Sequence, residues 1–296
     1  MRADAVAAIE ARGLRKAYGA TKALDGFDLT VAPGRILGIV GPNGAGKTTA
    51  LNAILGLTHC EGSLRVLGRD PWAERDALVR EASFIADVAV VPRWLKVGQA
   101  LDYAAGVHPR FDRAKAEAFL ARTDIPRGAR VGNLSKGMVA QLHLSLVMAI
   151  DARLLVLDEP TLGLDLLYRK RFYETLLDDY FDGQRTIVIS THQVEEVQHV
   201  LTDLVFVRRG RAALATSMDA FESRYAEVLA KPESAAQARA LGPIAERAVF
   251  GRSLFLFDGA DREALAALGE VRTPGIADVF VAVMESPAAG ADGGER

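Results

Sequence analysis

The chain has 296 residues, a formal net charge of −2 and a single cysteine, Cys60. It has no basic stripe that would make nucleic acid its main ligand, and a lone thiol offers no disulfide framework, which suits the cytosol. Met1 to Glu10 carries acidic residues and no long apolar core, so no signal peptide is expected, and no apolar run is long enough for a bilayer span.

The length accommodates one large α/β domain and a small one. Residues 9 to 40 read as N-terminal strands separated by Asp25-Gly26 and Pro33-Gly34 turns. The last of them, Arg35 to Val40, is apolar. It leads into Gly41, Pro42, Asn43, Gly44, Ala45, Gly46, Lys47, Thr48 and Thr49, with a helix predicted over Thr48 to Leu57. That is a P-loop in its strand–loop–helix setting. Glycines allow close backbone approach to phosphate and cheap positive φ. Successive N–H groups then form an anion nest at a positively polarised helix end. Lys47 is expected to reach the β- and γ-phosphates and the Thr48 hydroxyl to hold Mg²⁺.

Ala82 to Asp87 reads as a strand and its end, followed by Val88 to Leu95, an apolar stretch around Trp94. Residues 98 to 150 read as mostly helical, with helices over Gly98–Val107, Arg113–Thr123 and Val139–Ile150. Ser135, within Asn133-Leu134-Ser135-Lys136-Gly137-Met138, is a good N-cap for the last of these. The uninterrupted apolar run Leu154 to Leu157, ending in Asp158 and Glu159, predicts a central parallel strand. Ligands of open α/β sheets bind at the carboxyl ends of strands. Asp158 is therefore expected beside the P-loop, holding Mg²⁺ through water. Glu159 is expected to face the γ-phosphate and to act as the general base. The strand Thr186 to Ile189 precedes Ser190-Thr191-His192, so residues 151 to 210 continue the parallel strand–helix pattern.

After residue 221 the pattern changes. Tyr225–Leu229 and Ala248–Phe257 read as strands, and Ser234–Leu241, Asp261–Leu268 and Ile276–Met284 as helices. The Gly/Ala-rich tail 287–296 is expected to be disordered.

These motifs, in this order over residues 9 to 221, resemble the ATPase subunit of an ABC transporter, exporter-type. Leu134 to Met138 is similar to the family signature, although Lys136 replaces the usual first glycine and Met138 the usual glutamine. Gly163-Leu164-Asp165 stands where the family's D-loop lies, His192 matches the switch histidine, and Tyr18 matches the aromatic that stacks on adenine. The resemblance implies an α/β P-loop NTPase with a mostly parallel central sheet. It also implies an N-terminal antiparallel β subdomain and an α-helical subdomain at about 98–150. The expected domains are an ATPase domain over 1–221, a small C-terminal α/β appendage over 222–286 and the tail.

The same resemblance implies ATP and Mg²⁺ as ligands, with Glu159, His192 and Lys47 carrying hydrolysis. Tyr18, the P-loop residues, Ser135 and Gly137 would hold nucleotide, and Thr48, Asp158 and Asp87 the metal. Two ATPase domains meet head to tail in this family, so Ser135 and the Gly137 amide would complete the partner's site. The chain carries one P-loop, so a second ATPase subunit, as in a homodimer, is implied. A separate multi-span permease is implied too, with this subunit peripheral on the cytoplasmic face of the membrane. The region around Trp94 would meet that permease, or it packs in the core.

Asp87 stands at the family's glutamine position. Either it remains a metal and water contact, or its loop is displaced and the carboxylate is solvated. A carboxylate can accept from a metal-bound water but cannot donate when ionised. Two rival readings are weaker. Soluble translation-type members carry two ATPase domains and repair-type members a long coiled coil, neither of which is present. A degenerate regulatory subunit is opposed by Lys47, Asp158, Glu159 and His192. The appendage and Asp87 favour export, and the cargo is not written in this sequence.

Overall fold

The computed structural model describes residues 6–85 and 91–285. Asp87, Val88 to Val90 and the tail 287–296 lie outside the described residues, so the expectations on them are not addressed by the structure. The chain divides into two compact units, Met1–Ala215 and Thr216–Arg296.

In chain order, the first unit opens with β1 (Ile9–Tyr18), β2 (Thr21–Val31), β3 (Ile36–Val40), α1 (Lys47–Ile54), β4 (Glu61–Val66), α2 (Arg75–Leu78) and β5 (Ala82–Ile85). It continues through α3 (Val97–Val107), α4 (Arg113–Leu120), α5 (Lys136–Met148), β6 (Leu154–Asp158) and α6 (Leu166–Thr175), then β7 (Thr186–Thr191), β8 (Asp203–Arg208) and β9 (Arg211–Ser217). β1 pairs antiparallel with both β2 and β4 in a three-stranded sheet. The central sheet has the order β5-β6-β7-β3-β8-β9, parallel from β5 to β8.

The apolar runs dictate this order. Every residue of β3, β6 and β7 is buried, as central strands covered on both faces require. β3 pairs with β7, Val40 opposite Thr191, and β7 pairs with β6, Ser190 opposite Asp158. The three strand ends therefore lie side by side. One core runs from the N-terminal sheet through α1 to the central strands, with Phe27, Leu51, Ile54 and Val156 among its buried members. A separate core joins α3, α4 and α5 through Val97, Leu101, Leu120 and Leu142.

Helix ends differ from the sequence reading for local reasons. α5 begins at Lys136 rather than Val139, because the Ser135 hydroxyl accepts from the Met138 N–H at 3.2 Å and so starts the helix earlier. α6 is capped likewise, with Asp165 accepting from the Tyr168 N–H at 3.0 Å.

The second unit contains α7 (Met218–Arg224), β10 (Tyr225–Ala230), α8 (Ala235–Ala240), β11 (Ala245–Val249), β12 (Arg252–Asp258), α9 (Arg262–Ala266), β13 (Gly269–Arg272) and α10 (Ile276–Glu285). Its antiparallel sheet has the order β11-β12-β10-β13. Ala226, Val228, Phe255 and Phe257 pack with Leu265 and Leu268. The single strand expected over Ala248–Phe257 is instead a hairpin. Phe250 and Gly251 have φ of 49° and 78°, which turns the chain between Val249 and Arg252. Gly251 is a turn signal on its own, but an aromatic residue is rare in the left-handed region, so Phe250 masks the break.

Candidate functional site

The P-loop connects β3 to α1. Gly46 caps α1 with φ 109°, and a Cβ there would meet the Ala23 carbonyl oxygen at 2.3 Å. A Cβ on Gly41 would meet the Val207 carbonyl oxygen at 2.7 Å. Close packing requires glycine at both positions, and at Gly46 the left-handed backbone requires it as well. Ala45 N–H bonds the Pro42 carbonyl at 3.1 Å and closes the loop.

Lys47 is 6% exposed. Its ammonium donates to the Gly41 carbonyl at 2.8 Å and the Pro42 carbonyl at 3.4 Å, and lies 3.3 Å from Glu159 Oε1. Glu159 sits immediately beyond β6 with φ 47°. Its N–H is held by both the Ser190 carbonyl, at 3.2 Å, and the Ser190 hydroxyl, at 3.1 Å. The surrounding bonds thus fix a backbone conformation that is costly for a non-glycine residue. Glu159 Oε2 lies 2.9 Å from His192 Nδ1, just past β7. An ionised carboxylate only accepts, so His192 donates through Nδ1.

Pro42 to Thr49, Glu159 and His192 line one cleft of about 570 Å³, together with Thr21, Ala23 and Leu162. Asp158 is 4% exposed behind this wall, and one of its oxygens accepts from the Ser190 hydroxyl. Ser190 therefore anchors both acids, a role that its sequence signal did not carry. The other expected site residues lie off the cleft. Tyr18 ends β1 half-exposed, with the Lys16 ammonium 5.3 Å from its ring. Ser135 caps its own helix, and Gly137 packs beneath the Tyr168 ring, 3.1 Å from where a Cβ would stand. Lys136 is exposed beside Gly163 and has no ion-pair partner among the described residues. Trp94 is 71% exposed, so it is not part of the core.

A family model described as ABC transporter matches residues 24–162. A second, described as AAA domain, putative AbiEii toxin, Type IV TA system, matches residues 127–198. The protein named Nod factor export ATP-binding protein I of Paraburkholderia xenovorans (strain LB400) is 32% identical over 269 residues, covering 85% of this chain and 86% of that protein. The chain belongs to the ABC transporter family, as an ATP-binding subunit. A second protein named Nod factor export ATP-binding protein I, from Rhizobium sp. (strain N33), is 34% identical over 216 residues, 69% of each chain.

Among solved structures, an ATP-binding subunit of an ABC transporter superposes with a TM-score of 0.64 at 24% identity, covering 72% of this chain and 91% of that one. A nucleotide-free ATP-binding cassette gives 0.62 at 18%, covering 72% and 93%. At such identities these two establish the fold alone, the P-loop NTPase architecture implied by the motifs. This ABC ATPase binds nucleotide and hydrolyses ATP in transport. Among its described residues no helix is long and apolar enough to cross a membrane.

Proposed function

We propose that this ABC ATPase powers export through a separate multi-span membrane subunit, using Lys47, Glu159 and His192 on ATP held in the P-loop cleft. The observation that carries this reading is the convergence of all three side chains at the adjacent ends of β3, β6 and β7. Export is supported by the names of the relatives, Nod factor export ATP-binding proteins. It is supported as well by the 269-residue length of one match, which exceeds the first unit, Met1–Ala215, and so runs into the second.

The chemistry follows from the geometry. Lys47 is paired with Glu159 at 3.3 Å. A bound γ-phosphate competes for that ammonium with its greater charge and frees the Glu159 carboxylate to take a proton from water. His192 holds Glu159 from the other side, which orients the carboxylate and fixes the imidazole tautomer. The glycine N–H groups and the α1 terminus receive the phosphates. Tyr18, on the β1 end beside Thr21, offers a half-exposed ring to adenine.

The site residues also fit a divalent cation. Asp158 is a buried carboxylate with no cationic partner among the described residues, and the Lys47 ammonium pairs with Glu159 instead. A hard oxygen-seeking ion is what such a group accepts. Thr48 and Asp158 would hold Mg²⁺, with Asp87, two residues beyond β5, as a further contact. The bound ion would neutralise phosphate charge.

Ser135 and Gly137, away from the chain's own cleft, are assigned to a second copy's nucleotide in a head-to-tail homodimer. The exposed Trp94 is assigned to the membrane partner, which would hold the subunit on the cytoplasmic face. The ATPase domain is taken to end near 221, with the appendage over 222–286. The assignment of the acids and lysine is tested by Mg²⁺-dependent ATP hydrolysis of the purified chain. Activity without divalent cation, or equal activity in Glu159→Gln, would contradict it.

A further inference from the structure

Arg169 belongs to none of the motifs above. It lies on α6, four residues beyond the cap Asp165, and its side chain is 25% exposed. Its Nε donates to the Leu164 carbonyl at 2.7 Å. Its Nη1 donates to Gln193 Oε1 at 3.1 Å and to Glu196 Oε1. The other oxygen of Glu196 accepts from the Thr161 hydroxyl at 3.2 Å. Because Thr161 spends its proton there, the buried Tyr173 hydroxyl, 3.2 Å away, donates to Thr161. Burial pushes the Tyr173 phenol up to about 12, so that donor stays protonated.

These bonds close a ring. Glu159 meets His192 at 2.9 Å, and His192 is followed directly by Gln193. Gln193 bonds Arg169, Arg169 bonds Glu196, and Glu196 bonds Thr161, two residues after Glu159. One guanidinium thus ties the segment 159–165 to the segment 192–196. A planar fork with several fixed donors is suited to hold three acceptors in one geometry, and an ammonium is not. Both segments need external support. Glu159 stands at φ 47°, a conformation that persists where surroundings over-determine it. His192 leaves its strand into a stretch whose only helical element is the single turn Val194–Glu196.

We propose that Arg169 is a positioning residue for hydrolysis: it fixes the distance between Glu159 and His192 by clamping their two segments together. The proposal rests on the reading of Glu159 and His192 given above. It also makes the Gly163-Leu164-Asp165 turn a lever on His192, because displacement of the Leu164 carbonyl withdraws the guanidinium from Gln193. Nucleotide binding, which uses the P-loop, does not pass through this ring.

The test compares purified full-length parent, Arg169→Gln, Arg169→Lys and Gln193→Ala, each with and without His192→Ala. ATP turnover, ATP affinity and melting temperature are measured on all. Arg169→Gln is expected to lower kcat by about 10–100-fold, as misplacement on the order of 1 Å does, with KM and Kd for ATP within about 3-fold. Arg169→Lys restores little, since it lacks the fork. In the His192→Ala background Arg169→Gln is expected to cost no more than about 3-fold further, because the two act through one interaction.

Unchanged kcat, a full multiplicative loss in the His192→Ala background, or an equal loss of ATP affinity would overturn the proposal. If Arg169→Gln does not fold, Gln193→Ala decides: kcat must fall about 3–10-fold without a lower melting temperature, and parental kcat refutes the clamp. Hydrolysis that survives Glu159→Gln and His192→Ala would instead sink the site assignment beneath it.

Discussion

Glu159 Oε2 and His192 Nδ1 meet at 2.9 Å across the ends of two neighbouring strands, β6 and β7. The contact joins residues that are 33 positions apart, and it makes the carboxylate the meeting point of an imidazole and the Lys47 ammonium. Glu159→Gln keeps the shape and removes the proton acceptor. It is expected to lower ATP turnover by about 10²–10⁴-fold while nucleotide binding survives, as read by steady-state hydrolysis and equilibrium binding on the same preparation. Turnover within threefold of the parent would contradict the assignment of the base.

The glycines of the P-loop are predicted to differ in sensitivity. Gly46 combines φ 109° with a backbone oxygen 2.3 Å from where a Cβ would stand, whereas Gly44 has φ 78° and open space. Gly46→Ala must move backbone, and is expected to cost about 1–3 kcal/mol of stability and most of the ATP affinity. Gly44→Ala carries only the left-handed penalty, roughly 1–2 kcal/mol. Thermal melts and nucleotide titration of the pair check the ranking, and equal effects would refute it.

Much of this was legible in the residues. The runs Arg35–Val40, Leu154–Leu157 and Thr186–Ile189 read as strands, the second as a central one, and the strands they form, β3, β6 and β7, lie buried in the middle of the sheet; the P-loop directly follows the first. Legibility failed where geometry is set by residues far apart. Ser190 anchors Asp158 and Glu159 across a strand pair, and Arg169 reaches Gln193 and Glu196. Neither link has a spacing that a sequence can display. The hairpin at Phe250 was hidden because its turn uses a residue type that turns rarely employ. Ser135 was readable as a cap, yet the helix it starts was placed late, because Lys136-Gly137-Met138 has no apolar periodicity of its own.

His143, on α5, is buried and its Nε2 has no hydrogen-bond partner among the described residues. Burial holds its imidazole below the ordinary 6.5. The unfolded chain therefore takes up the proton more readily than the folded one. The stability this neutral histidine preserves is complete above pH 6.5 and is lost as pH falls through 6.5 toward the folded value. His143→Leu removes both the orphaned polar atom and the proton linkage. It is expected to gain about 1 kcal/mol at neutral pH, and the gap from the parent should widen below pH 6.5. Urea unfolding of both proteins across that range checks this, and a gap independent of pH would contradict it.

Trp94 is 71% exposed in a stretch that follows β5 and precedes α3. Under the proposal above, this exposed side chain, next to buried Leu95, meets the membrane partner. Trp94→Ala is expected to leave ATP affinity and melting temperature near parental values while recovery in the membrane fraction falls several-fold. Unaltered membrane recovery would remove Trp94 from the docking surface.

The most direct test of the whole account is to purify the tagged chain from gently solubilised membranes of its native host and identify what comes with it. The account predicts a multi-span membrane protein in fixed stoichiometry with two copies of this chain, and Mg²⁺-dependent ATP hydrolysis that Glu159→Gln abolishes without dissolving the complex. Recovery with no membrane protein, in a detergent that keeps control transporters intact, would contradict it.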